Sequence, residues 1–166
     1  MLKMLAATAL LVVAQGDEFK SGIWEAREDV SALDGKRSLS QTLLSRNRPL
    51  NSIGRPSVGI LKLRCSGRDI DAIVAVPGAF FGTRNMVVKW RVDSSPIREE
   101  AWLSVDGHTY AAMTVNKPAQ RLLDAIAPGK ELVVRVHGYG GNTEIVFDLG
   151  NAQAAVNSVR QTCARR

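Results

Sequence analysis

The stretch Met86-Val87-Val88-Lys89-Trp90-Arg91-Val92-Asp93 sets charged residues between apolar ones. Side chains two apart along a strand share a face, so Met86, Val88, Trp90 and Val92 point one way and Lys89 and Arg91 the other. The same period recurs on both sides of this stretch. Leu61, Leu63 and Cys65 share a face in residues 58–65, as do Ile70, Ala72, Val74 and Val76 in residues 70–76. Leu132, Val134 and Val136 do so in residues 131–137, and Ile145, Phe147 and Leu149 in residues 144–149. Turns rich in Gly, Pro, Ser, Asn and Asp separate these segments, the punctuation of an all-β sandwich or barrel.

Further strands are expected at residues 101–106 and 23–27. In the first, Trp102 stands opposite Ala101, Leu103 and Val105, so either that strand is covered on both faces or Trp102 is exposed. After the second, Leu33-Asp34-Gly35-Lys36 carries the Asp-Gly signature of a tight turn into another strand. Residues 45–56, with two prolines, two asparagines and Gly54, read as a loop.

Two segments follow a helical period instead. Ala119, Leu122, Leu123 and Ile126 recur at helix spacing between Lys117-Pro118 and Pro128-Gly129. Ala152, Ala155, Val156, Val159 and Cys163 form one stripe, with Asn151 as N-cap and Arg160, Arg165 and Arg166 suited to the negative end of the helix dipole. The expected fold is therefore mainly β, an antiparallel β-sandwich with a short helix before its last two strands and a C-terminal helix.

Length and composition allow one such domain: 166 residues, 45% hydrophobic, can bury a single core. The chain opens with Met1-Leu2-Lys3, an apolar run to Ala14, and then Gln15-Gly16-Asp17-Glu18. This is a signal-peptide layout, too short to span a bilayer, with cleavage expected after Ala14. Residues 1–14 are thus read as leader and 15–166 as the mature domain, periplasmic or secreted, with no membrane span after leader removal. In an oxidising compartment the even pair Cys65 and Cys163 is expected to form a disulfide, both thiols facing inward from strand and helix.

The net charge of +6 favours acidic partners, but it is spread along the chain without the basic run of a nucleic-acid tail. Nucleic acid is therefore not the expected partner. Lys62, Arg64, Lys89, Arg91 and Arg135 all fall on outward positions of three strands, and a basic face forms if those strands are neighbours. A solubilising outer face explains the same residues, since exposed charge is normal on antiparallel sheets.

The order of motifs resembles the VasI/TagO-like family of type VI secretion-associated proteins. The matching pieces are Trp24, Ser31-Ala32-Leu33-Asp34, Leu61-Lys62-Leu63-Arg64-Cys65, Arg91-Val92-Asp93, Trp102-Leu103-Ser104-Val105-Asp106, Leu132-Val133-Val134-Arg135-Val136, and Phe147-Asp148-Leu149 leading to Cys163. A similar β-rich pattern with a late cysteine occurs in the invasion-associated locus B family. Either resemblance implies an envelope accessory protein, with partners among envelope proteins, and carries no catalytic residues across.

Catalysis finds little support in the residues. Ser104, Asp106 and His108 form the one triad-like cluster, which would serve an exported hydrolase. Asp106-Gly107-His108 also has the composition of a hairpin turn, and that reading is preferred. Gly138-Tyr139-Gly140-Gly141-Asn142 lies between two strands and lacks the Lys-Ser/Thr of a phosphate loop, so it reads as a hairpin connection with His137 at a strand end. Glu99-Glu100 reads as a solvated turn beside Ser94-Ser95-Pro96. Two histidines and two cysteines, badly spaced, offer no zinc set, and no cofactor is expected. The expected function is a non-enzymatic exported interaction module; the alternatives are the hydrolase above and a binder of acidic polymers through the basic face.

Overall fold

A computed structural model describes residues 21–30, 32, 35, 37–105, 108–139 and 141–164. The expected leader, residues 1–14, most of the Leu33–Lys36 turn, Asp106, Arg165 and Arg166 lie outside the described residues. The chain runs β1 (Glu25–Val30), β2 (Arg37–Leu44), β3 (Ile60–Ser66), β4 (Asp69–Ala75), β5 (Met86–Val92), β6 (Arg98–Val105), β7 (His108–Val115), α1 (Asn116–Ile126), β8 (Glu131–Gly138), β9 (Gly141–Asp148) and α2 (Ala152–Ala164). All pairings between adjacent strands are antiparallel. The strands form one continuous nine-stranded sheet in the order β1-β2-β3-β4-β7-β6-β5-β8-β9. The mainly β architecture and the two helices are those the periodicities predict; the layers belong to a single curled sheet.

What curls the sheet is visible at a seam. The chain leaving β2 passes beside the outer edge of β9: Arg46 N donates to Val146 O at 2.7 Å. Asn47 then imitates a peptide unit, its Oδ1 accepting from Val146 N at 2.9 Å and its Nδ2 donating to Glu144 O at 2.9 Å. Ser45 N donates to Gly59 O and Gly59 N to Ser45 Oγ, each at 2.8 Å, which holds the segment against the start of β3. Gly59 is required by close approach, since a methyl there would run into Ile145 Cγ2 and reach Ser45 Cβ. Residues 45–56 are a loop, as expected, but their first three residues also close the sheet.

The inner face follows the parity argument. Leu61, Leu63, Val74, Val88, Val134, Phe147 and their alternating neighbours are buried in one cluster that includes both helices. The helix α1 lies over β4 and β7 and α2 over β2 and β3. Small inner residues make room for α1: Ala72 and Thr114 face each other across β4 and β7, as do Val74 and Ala112. Strand β7 itself escapes the periodicity reading, because Ala111 and Ala112 are both buried and its inner face carries the polar Thr114.

Three expectations need correction. Trp102 is fully buried, opposite inward Met86 in the register, and Leu103 is the exposed neighbour; β6 starts earlier than expected, and a register shift after Ser104 lets Val105 join a small apolar cluster with Ile73, Ala75 and Ala111. Glu99 and Glu100 lie within β6, on opposite faces, with Glu99 paired to Lys89 and Glu100 to Arg121. Arg160 precedes the last turn of α2 and bonds to Gln120 and Asp124 of α1, tying helix to helix. Asn151 does cap α2, accepting from Ala154 N at 3.4 Å.

At the other end of β3 from the seam, the Cys65 and Cys163 sulfurs stand at disulfide distance, 2.02 Å, across 98 residues of chain. In the chain-entropy model a loop of that size stabilises by roughly 4–5 kcal/mol. The segment before β1 docks on the same end of β9: Trp24 Nε1 donates to Leu149 O at 2.7 Å and Ser21 Oγ to Asp148 Oδ2 at 2.8 Å.

Gly59→Ala should lower stability by about 1–3 kcal/mol, the usual range for overpacking. In an Ile145→Ala background, which removes the obstructing methyl, the same substitution should cost clearly less. Urea unfolding of the four proteins measures this coupling, and strict additivity would count against the seam.

Candidate functional site

The expected basic face divides in two. Lys62 and Arg64 belong to β3, whereas Lys89 and Arg91 belong to β5 and Arg135 to its neighbour β8. Three strands, β4, β7 and β6, stand between β3 and β5. Four strand spacings of about 4.8 Å amount to roughly 19 Å, more than twice the Debye length at physiological salt. The five cations are not one field.

Arg64 is a structural cation. Its Nε and Nη2 both donate to Asp71 Oδ2, at 3.1 and 2.7 Å, and the Asp71 side chain is only 7% exposed. Lys62, in the next outward position of β3, faces Ile73 and Thr42 across the ladders and is partly covered.

The second group forms a charge row. Lys89 is flanked in register by Glu99 on β6 and Arg135 on β8, and Arg135 by Glu144 on β9. Lys89 pairs with Glu99 at 2.9 Å and Arg135 with Glu144 at 2.6 Å, so the two adjacent cations are each balanced from outside. Arg91 stands one pleat along, opposite Val133, and has no ion pair among the described residues. A shallow hollow of about 280 Å³ lies there, lined by Arg91, Ile97, Val133 and, from the charge row, Lys89, Arg135 and Glu144. A second, of about 300 Å³, lies on the other side of the row beside Val87, His137 and Asn142. His137 Nδ1 is 2.9 Å from Asn142 Oδ1 across the hairpin, as befits a strand-end residue. The exposed Ile97 and Val87, which give the face its apolar character, follow turn and strand positions that parity alone does not single out.

Farther along the same face, Arg46 bridges Glu131 at 2.7 Å and Asp148 at 2.8 Å. Its guanidinium pKa is raised above the ordinary value, first by the hydrogen bond to Glu131 and then by the Asp148 charge. Asp93, at φ 50°, takes the amide protons of Lys130 and Glu131 and fixes the start of β8 against the end of β5. The face is thus held rigidly at one end.

Of the triad-like residues, Ser104 lies on β6 opposite Ala112 of β7, His108 begins β7 opposite Val105, and Asp106 is outside the described residues. No cluster of three or more His, Cys, Asp or Glu able to hold a metal occurs among the described residues, nor is any described helix long and apolar enough to cross a membrane.

The two kinds of cation should differ in stability measurements. Removing Arg64 leaves a buried carboxylate without its partner, so Arg64→Ala should cost about 2–3 kcal/mol. Lys89→Ala, which breaks an exposed pair, should cost less than about 1 kcal/mol. Equal shifts of the denaturant midpoint would contradict this division.

No family model matches the sequence, and no curated protein matches it. Among solved structures, the chain is similar to the crystal structure of invasion associated protein B from Bartonella henselae, with a TM-score of 0.58 over 88% of this chain and 96% of that one, at 14% identity. The likeness is one of fold, and it falls on the second of the two families that the motif order resembles.

Proposed function

We propose that this chain is an exported, non-enzymatic protein of the cell envelope that acts by binding other proteins, as an accessory module of a secretion or surface assembly. The observation that carries this reading is Arg91. Among the described residues it has no ion pair, and it lies beside the exposed Ile97 and the half-buried Val133, next to a charge row already balanced by Glu99 and Glu144. Arginine set among apolar side chains is the composition enriched at protein interfaces, and an acidic group on a partner would supply the missing counter-charge. Export is supported by the leader-like N-terminus and by the cysteine pair at disulfide distance. The fold likeness to invasion associated protein B fits the same location, and the type VI assignment rests on the motif resemblance.

Expressed with its own N-terminus in a Gram-negative host, the protein should be recovered from the periplasm without residues 1–14. Against immobilised envelope protein fractions, Arg91→Glu should bind at least about tenfold more weakly than wild type at low salt, with an unchanged melting temperature. Wild-type binding should itself weaken as salt rises. Equal, salt-independent binding of the two proteins, or full-length protein in the cytosol, would refute the reading.

A further inference from the structure

A different surface gathers at the end of the sheet away from the cysteine pair. Three connections meet there, residues 45–59, 77–85 and, among the described residues of the third, 137–139 and 141–143. Ser52 N donates to Gly78 O at 3.0 Å and Ser57 Oγ to Pro77 O at 2.9 Å, which joins the first to the second. The Phe80 and Tyr139 rings lie 5.5 Å apart, and Gly138 packs so closely on the Phe81 backbone that any side chain there would collide, which joins the second to the third.

These connections combine cations with exposed apolar side chains. They hold four arginines, Arg46, Arg48, Arg55 and Arg84, and no aspartate or glutamate. They also display large apolar side chains to solvent: Tyr139 is 84% and Ile53 72% exposed, and Leu50 and Phe80 are exposed as well. A soluble face of this kind would ordinarily interleave carboxylates, as the row on β6, β5, β8 and β9 does. Behind Tyr139 a hollow of about 530 Å³ is lined by Thr83, Arg84, Asn85 and His137, donors suited to a phosphate group.

We infer that this loop end docks the protein onto a bilayer surface containing anionic phospholipid. Leu50, Ile53, Phe80 and Tyr139 enter the interfacial zone, where aromatic and aliphatic side chains are favoured, while Arg55 and Arg84 meet the headgroup phosphates. Arg46 has its counter-charges in Glu131 and Asp148 and stays with the fold. The charge complementarity, Arg55 and Arg84 beside exposed apolar tips on connections that hold no aspartate or glutamate of their own, favours a lipid surface. The tether is local: the cysteine pair and the β3–β4 hairpin, which ends in Gly67 and Arg68, lie at the far end of β3 and β4. The inference is independent of any partner on the Arg91 face.

Flotation with vesicles of phosphatidylcholine alone, or with one-third phosphatidylglycerol, tests it on the mature protein. Wild type should float with the anionic vesicles, and less so at high salt. Ile53→Ser/Tyr139→Ser should lose at least tenfold in partitioning, and Arg55→Glu/Arg84→Glu should lose the preference for phosphatidylglycerol, each arginine being worth roughly fivefold near an anionic surface. Arg68→Glu, with the same kind of charge reversal at the opposite end, should float like wild type. All these positions are exposed, and unchanged melting temperatures would show that the variants fold. The inference is overturned if wild type does not float, if Arg68→Glu is as impaired as Arg55→Glu/Arg84→Glu, or if the apolar variant floats as well as wild type.

Discussion

The molecule depends on how the outer edge of β9 is covered. An open antiparallel sheet leaves a row of unpaired amides and carbonyls at each edge, available to any other strand. Here Arg46 and Asn47 occupy that row, one with its backbone and the other with a side-chain amide that donates to Glu144 and accepts from Val146. Because these two residues come just after Ser45, the residue that follows β2, the contact brings the first third of the chain against its last strand and wraps the sheet around one core. Gly59 sets how near the two can come, since its missing side chain is the space that Ile145 occupies. The opposite edge is protected differently: β1 is exposed along its whole length and carries Glu25, Arg27, Glu28 and Asp29, charges that discourage strand addition.

Strand β3 is held at both ends by this arrangement. At its start Gly59 is bonded to Ser45, and near its end Cys65 meets Cys163 of α2. The helix thereby covers β2 and β3 where the curled sheet would otherwise leave the core open, and Gln41, an inward polar residue of β2, is satisfied by Ser158 of that helix at 2.9 Å. Two surfaces stand out on the outside: the charged outer face around Arg91 and, around Tyr139, apolar loops that hold no aspartate or glutamate. On the reading proposed above, the first suits a protein partner and the second a lipid surface.

The inner half of the fold was legible because burial imposes a period that survives without knowledge of partners. Trp90, Phe147, Leu122 and Val159 each fall where spacing alone places them. Position within the sheet was not legible, because strand order depends on which segments meet across long stretches of chain. Lys62 and Lys89 look alike in sequence, yet β7 enters between β4 and β6 and sets them far apart. Strand β7 was hidden by the small residues that α1 needs beneath it, and Trp102 by a strand whose outward Leu103 is as apolar as an inward one. Asn47 gives no signal of its role, since a side chain acting as a peptide unit has the composition of any loop asparagine. Even the carboxylate-free loops become a surface only once the fold joins residues 45–59, 77–85, 137–139 and 141–143.

The most direct test of the closure is native-state hydrogen exchange at the Val146 amide. If Asn47 completes the edge of β9, this amide should exchange with the same free energy of opening as interior amides such as that of Val134, because both are released only when the sheet comes apart. Exchange of Val146 near the rate of an unprotected edge amide, while Val134 stays protected, would show that β9 is a free edge and that the sheet is not closed there.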